Sequence, residues 1–309
     1  GGEGNDLITG GFGHDMLVGG LGFDTILESG DVNMTLTNAS LQIGSYTDSL
    51  DGIESLHFTG GKSDNRLDAS AFTMGPVRLD GDYGNDILRG GSGNDFLYGD
   101  KGHDIITGGL GNDLIDGGSG SDSLVEQGNV NFTLTNSSLI GLGIDVIADI
   151  ESAFLTGGEG NNVLDASAFT DRVTLDGLDG DDTLIGGSGD DILRGSAGND
   201  TLSGGKGNDQ IDGGQGNDSL SEVGNVNFIL TNTSLLALGT DSLIGIEWAS
   251  LTGGSGDNLL DATAFTLGPV TLDGGAGNDT LRGSRNNDIL RGGTGNDSIT
   301  GGFGDDWMD

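Results

Sequence analysis

Residues 90–116 read GGSGNDFLYGDKGHDIITGGLGNDLID. Aspartate recurs in this stretch every nine residues, at Asp95, Asp104 and Asp113. Glycine fills much of the rest, although it loses more conformational freedom on folding than any other residue. Aligning the glycines outward from here yields a nonapeptide, G-G-x-G-x-D-x-(Leu/Ile)-x, in seventeen copies. The copies fall into four runs, residues 1–27, 81–125, 177–221 and 274–309. Position six is Asp in all seventeen copies and position eight is always Leu, Ile or Met, whereas position three varies freely. A chain that spends so much glycine to repeat one carboxylate must recover the ordering free energy from something that carboxylate does.

Between the runs lie three spacers, residues 28–80, 126–176 and 222–273, and they repeat as well. Each opens on one segment, ESGDVNMTLTNASL from Glu28, EQGNVNFTLTNSSL from Glu126 and EVGNVNFILTNTSL from Glu222. Each closes on NRLDASAFT, NVLDASAFT or NLLDATAFT, so one run plus one spacer forms a larger unit of about 97 residues. Complete runs hold five copies, the first run three and the last four, and the 309 residues are expected to be a section of a longer array.

Composition narrows the function. There are 49 acidic residues against 11 basic ones, a net charge of -38, with 64 glycines and 5% aromatics. Such a chain would ordinarily stay disordered for want of apolar surface to bury. Here Leu, Ile and Val are periodic, which a solvated acidic coil does not require. The charge repels nucleic acid and anionic membranes, excludes both as partners, and invites a cation. No run of apolar residues reaches the roughly 18 needed to cross a membrane, so no membrane insertion is expected. The N-terminal residues lack a signal-peptide pattern. Cysteine is absent.

Seventeen copies in phase strongly resemble the RTX (repeats-in-toxin) calcium-binding nonapeptide family, and about half the chain carries the pattern. That resemblance implies an all-β fold, a right-handed parallel β-roll or β-solenoid with the repeated spacers as intercalated coils. It also implies that six residues form a turn and three a short strand, two nonapeptides to a coil. The residues agree. Gly at positions one, two and four suits a backbone that must pass close to an ion or adopt φ > 0. Asn, at position five in ten copies, is expected there because it tolerates the left-handed region. Position eight points into a narrow interior while seven and nine face out.

Oxygen-only ligation by carboxylates and carbonyls is what Ca2+ prefers, and it singles out position six. The candidate metal ligands are Asp6, Asp15 and Asp24 in the first run and Asp86, Asp95, Asp104, Asp113 and Asp122 in the second. They continue as Asp182, Asp191, Asp200, Asp209 and Asp218 in the third and Asp279, Asp288, Asp297 and Asp306 in the fourth. If each ion sits between copies n and n+2, about nine complete sites are expected, with partial sites at run ends. A single Asp in a glycine-rich turn could equally form an Asx-turn without metal. Stacked at about 4.8 Å per coil, seventeen bare carboxylates would repel, and metal binding should be coupled to folding.

Each spacer ends in a decayed copy, GGKSDNRLD, GGEGNNVLD or GGSGDNLLD, in which Asn65, Asn162 or Asn258 replaces the aspartate and should bind calcium weakly or not at all. Glu54, Glu151 and Glu247 recur in register, as do Asp48, Asp145 and Asp241, either capping loops or holding an extra ion. The spacers read as wider coils of the same solenoid, with a separate small module as the alternative. Asn38, Asn136 and Asn232 begin N-x-Ser sequons that read as turn residues.

No catalytic constellation is evident. His14 and His103 occupy the variable fifth position, and GGKS at Gly60 lacks the first glycine of a phosphate-binding loop. The expected function is therefore non-enzymatic: a calcium-stiffened segment of a long secreted or cell-surface bacterial protein, resembling the repeat regions of RTX adhesins, surface layers and surface fibrils. The resemblance implies type I secretion, and the array is expected to continue or associate end to end. The alternative is the calcium-folding secretion module of a protease, lipase or toxin whose catalytic domain lies outside this segment. An ice-binding face would need a flat row of matched Thr and Asn, which position three does not provide.

Overall fold

The computed structural model describes residues 1–309, and it is built of strands and turns without helix. The chain divides into two compact units, one of residues 1–126 with 136–154, the other of residues 127–135 with 155–309.

In the first unit the nonapeptides inside the second run contribute a six-residue turn and a three-residue strand each. Ile87–Arg89 lies parallel beside Ile105–Thr107, and Phe96–Tyr98 beside Leu114–Asp116, so alternate copies build two separate sheets. The register is in phase: Leu88 faces Ile106 and Leu97 faces Ile115. Three-residue strands suffice because only the central side chain has a partner to find. Leu88, Leu97, Ile106 and Ile115 are fully buried between the sheets, and their neighbours at positions seven and nine are not. Burying each such side chain is worth about 1.5–3 kcal/mol. The second unit repeats the arrangement, with Thr183–Ile185, Thr201–Ser203 and Ser219–Val223 in one sheet and Ile192–Ala197 beside Gln210–Gln215 in the other. The fold is a parallel β-roll.

The spacers join the same sheets but are not merely wider coils. In the first unit Ser55–Thr59 pairs in parallel with Thr25–Ser29 on one side and Val77–Asp80 on the other, which carries that sheet through the spacer. In the opposite sheet the chain doubles back. Met34–Thr37, Ser40–Ile43 and Tyr46–Asp51 pair antiparallel in sequence, and the last of them lies parallel to Met16–Val18. The second unit builds the same insertion from Phe228–Thr231, Ser234–Leu236 and Thr240–Ile244. The antiparallel meander follows from length: these residues exceed what one coil needs, and alternating stretches such as Val226 to Thr231 fold back at the Asn-Ser/Thr turns. Asn38 ties that turn down by donating to Thr73 Oγ1 and accepting its N–H, both at 2.8 Å.

Aromatic mass enters the core only in the spacers. Phe58, Phe72, Phe132, Phe169, Phe228 and Phe265 are fully buried, while the nonapeptide runs bury only Leu and Ile.

Candidate metal centre

From Asp24 onward every nonapeptide aspartate accepts, through Oδ1, a backbone N–H from the coil before it. The backbone N–H of Asp86 donates to Asp104 Oδ1 at 2.6 Å, and that of Asp104 to Asp122 Oδ1 at 2.7 Å. On the opposite edge Asp95 donates to Asp113 Oδ1 at 2.8 Å. The second unit repeats this in Asp182 to Asp200 and Asp200 to Asp218, and Asp191 to Asp209, all between 2.8 and 2.9 Å. Asp6 with Asp24, Asp279 with Asp297 and Asp288 with Asp306 do the same in the shorter runs. Two ladders of carboxylates therefore rise along the two edges of each roll.

Outside the first coil, one oxygen of each carboxylate is used in the ladder, and the fate of Oδ2 divides the turns into two kinds. In twelve aspartates Oδ2 is buried with no hydrogen-bond partner: Asp6, Asp15, Asp24, Asp86, Asp104, Asp113, Asp122, Asp182, Asp200, Asp209, Asp218 and Asp279. These turns are open. In Asp95, Asp191 and Asp288 that oxygen instead accepts the N–H four residues earlier, from Gly91, Gly187 and Ser284, at 2.6–2.7 Å. These turns are closed. Asn65, Asn162 and Asn258 close in the same way onto Gly61, Gly158 and Gly254. Asp297 and Asp306 lie in the last coils and are less buried.

Position two sets the difference. Its φ is positive in eleven of the twelve open turns, including four where it is not glycine, at Asp82, Asp100, Leu178 and Ser196. Gly91, Gly187 and Ser284 are not in that region, which turns their N–H toward the carboxylate. Closed turns start their column: Asp95 Oδ1 accepts from Val77 and Asp191 Oδ1 from Val173, at 2.8 Å, where no preceding carboxylate exists.

The open oxygens face a cradle. A Cβ added to Gly81 would stand 2.5 Å from Asp86 Oδ2 and 2.7 Å from the carbonyl oxygen of Gly99 in the next coil. Carboxylate and carbonyl converge on the space that glycine leaves free. No three His, Cys, Asp or Glu side chains form a metal cluster, so an ion here draws on one or two carboxylates and on backbone carbonyls. That donor set suits a hard cation of the calcium type.

Electrostatics press the same way. Burial pushes Asp104 and Asp113 up to about 7 and Asp86 and Asp95 to about 6, with the neighbouring rungs Asp86 and Asp122 adding to the rise at Asp104. In the second unit burial raises Asp209 to about 7 and Asp200 to about 6.

Position five does not visit the left-handed region in any copy, which corrects the reason expected for its asparagines. They serve a counter-ladder instead: Asn94 Oδ1 accepts the N–H of Asn112, and Asn199 Oδ1 that of Asn217, at 2.9 and 3.0 Å. His103 takes the same part through Nδ1, accepting from Ser121 at 2.9 Å. His57 pairs with Asp80 at 2.8 Å.

Sequence reading passed over Glu28, Glu126 and Glu222. Each follows the last nonapeptide of its run, is buried, and accepts two glycine N–H groups from the turn a coil earlier, as Glu126 does from Gly108 at 2.5 Å and Gly109 at 3.1 Å. The signal was present, a glutamate where each next copy would begin with glycine. Burial pushes Glu126 up to about 8 and Glu222 to about 7.

The model of the RTX calcium-binding nonapeptide repeat matches residues 1–26, 80–115, 90–124, 154–173, 174–202, 185–220, 267–290 and 282–309, more than half the chain. The chain belongs to the RTX calcium-binding repeat family. As a member of it the protein is a calcium-binding repeat segment. Among solved structures, that of the extracellular lipase LipA from Serratia marcescens matches at 25% identity and a TM-score of 0.22, over 59% of this chain and 43% of that one. The RTX chain thus spans less than half of that lipase's length. No curated protein matches.

Proposed function

We propose that this RTX segment is a non-enzymatic, calcium-folded stiffening element of a longer secreted or cell-surface protein, contributing to an extracellular fibre, adhesin or surface layer. The carrying observation is the row of buried aspartates whose Oδ2 atoms have no partner. A buried, unpaired carboxylate is expensive, and repeating it along one edge multiplies the expense. Calcium would be held by Oδ2 of Asp6, Asp86, Asp104, Asp182, Asp200 and Asp279 with the facing glycine carbonyls, and these are the open gaps between two nonapeptide turns. When bound it supplies the positive charge and the oxygen coordination that the chain itself lacks. The closed turns of Asp95, Asp191 and Asp288 already spend both oxygens on N–H groups, which reduces the nine gaps counted from the sequence to six of this kind.

The regular spacers support a structural role. Their strands extend the sheets of the runs in each unit, so stiffness gained in a run passes into the adjoining spacer. Secretion suits this chemistry, because a chain of net charge -38 stays unfolded where calcium is scarce and orders where it is plentiful. A calcium titration followed by far-UV circular dichroism tests the reading. Strand signal should rise with calcium and vanish on chelation; a spectrum indifferent to calcium overturns it. Light scattering with calcium tests self-association, and a strictly monomeric segment at high concentration favours the secretion-module alternative.

A further inference from the structure

Half of the open turns do not face another nonapeptide. At the end of a run the next turn along the edge is supplied by the spacer. The N–H of Asp24 then donates to Glu54 Oε2 and that of Asp122 to Glu151 Oε2, both at 2.8 Å. In the second unit Asp218 donates to Glu247 Oε2 at 3.0 Å. A glutamate thus takes the rung that an aspartate holds inside the run.

The remaining donors are also in place. Asp24, Asp122 and Asp218 are fully buried, and each keeps an Oδ2 without a partner. The carbonyl oxygens of Gly52, Asp149 and Gly245 crowd the missing Cβ of Gly19, Gly117 and Gly213, the part Gly99 plays for Gly81 within a run. The change from Asp to Glu goes with a change in turn length. Inside a run five residues separate that glycine from the aspartate, as from Gly99 to Asp104; in the spacer only two separate Gly52 from Glu54. The shorter turn carries an acceptor one methylene longer, and the N–H of Glu54 also donates to the carbonyl oxygen of Asp24 at 3.1 Å.

We propose that the three junctions Asp24–Glu54, Asp122–Glu151 and Asp218–Glu247 are cation sites of a second kind, half nonapeptide and half spacer, each taking a calcium ion. They make the spacers part of the calcium-binding apparatus. The proposal rests on the calcium reading above, and the test separates the two.

The third junction carries its own reporter, because Trp248 follows Glu247 directly and the chain has only one other tryptophan, Trp307. In a Trp307→Phe background, terbium bound in place of calcium at this junction should emit when tryptophan is excited. Glu247→Gln keeps an oxygen for the Asp218 N–H but removes the charge, and should reduce that emission to background. Bound calcium, counted by equilibrium dialysis and elemental analysis, should fall by three per chain in the triple variant Glu54→Gln, Glu151→Gln, Glu247→Gln. Unchanged emission together with an unchanged calcium count overturns the junction sites and leaves the calcium reading standing. A parent protein that binds neither ion overturns both. If circular dichroism in calcium shows that Glu247→Gln does not fold, Glu247→Asp, one methylene short but still charged, must weaken terbium emission by the same logic; full emission there overturns the proposal.

Discussion

Asp104 places Oδ1 2.6 Å from the backbone nitrogen of Asp86, eighteen residues earlier, and leaves Oδ2 buried and unpaired. Asp95, nine residues before it and identical in the motif, spends both oxygens on N–H groups of Val77 and Gly91. The two should respond oppositely to amidation. Asp104→Asn keeps the ladder bond but loses a ligand, so bound calcium should fall. Asp95→Asn cannot accept both N–H groups and should keep its bound calcium while losing about 1–3 kcal/mol of stability in calcium, the penalty of a buried donor left unmade. Isothermal titration paired with thermal melts in saturating calcium distinguishes them; identical behaviour would refute the open and closed turns.

The pH dependence of the metal-free protein follows from the raised carboxyls. Asp104, Asp113 and Asp209 rise from 3.8 to about 7 on folding, and Asp86 and Asp200 to about 6. Between these limits the folded chain binds more protons than the unfolded one, so stability falls as pH rises from about 4 to about 7. Chelated protein should therefore regain strand signal on acidification through that window. Calcium, which replaces the protons, should remove that fall in stability through the window. A chelated protein whose stability increases from pH 4 to pH 7 would contradict the burial of these groups.

The period of nine made the aspartate ladder and the buried residues Leu88, Leu97, Ile106 and Ile115 legible in the sequence, because each depends on a residue's place in its own repeat. What escaped depends on neighbours a coil away. Gly91 and Gly109 are the same letter at the same position, yet only Gly109 has a positive φ, since Asp95 begins its column beneath Val77 and Asp113 does not. The asparagines of position five were visible, but their acceptor role toward a residue eighteen positions on is set by stacking rather than by local propensity. The antiparallel meander was hidden for a related reason: alternation marks a strand without saying which way its partner runs.

Glu126 is a buried acid whose Oε1 serves Gly108 and Gly109 in the turn a coil earlier. Burial, with Asp145 and Asp113 nearby, pushes it up to about 8. Glu126→Gln preserves the accepting oxygen and removes the charge, so the calcium-loaded protein should become more stable at pH above 8 and change little well below it. Glu126→Ala strands two N–H groups and should destabilise at every pH, by about 1–3 kcal/mol. Denaturant melts at two pH values are sufficient to check both. A Gln variant as unstable as the Ala variant would mean that the charge, not the acceptor, holds the turn.

Leu178 tests whether the turn or the residue dictates the backbone. It occupies position two of its nonapeptide at φ +73, where most copies have glycine, and a β-carbon in the left-handed region costs roughly 1–2 kcal/mol. At an ordinary position Ala is preferred over Gly by about 0.5–1 kcal/mol, because glycine has more freedom to lose. At Leu178 the order should invert. Ala would keep the strained φ while surrendering the leucine's contacts, whereas Gly surrenders the contacts and relieves the strain. Leu178→Gly should therefore melt above Leu178→Ala in calcium, where the open turn is held, and the gap should narrow on chelation as the turn loosens. If Ala proves the more stable of the two in calcium, the positive φ at position two is not what keeps Asp182 Oδ2 free, and the division between open and closed turns needs another cause.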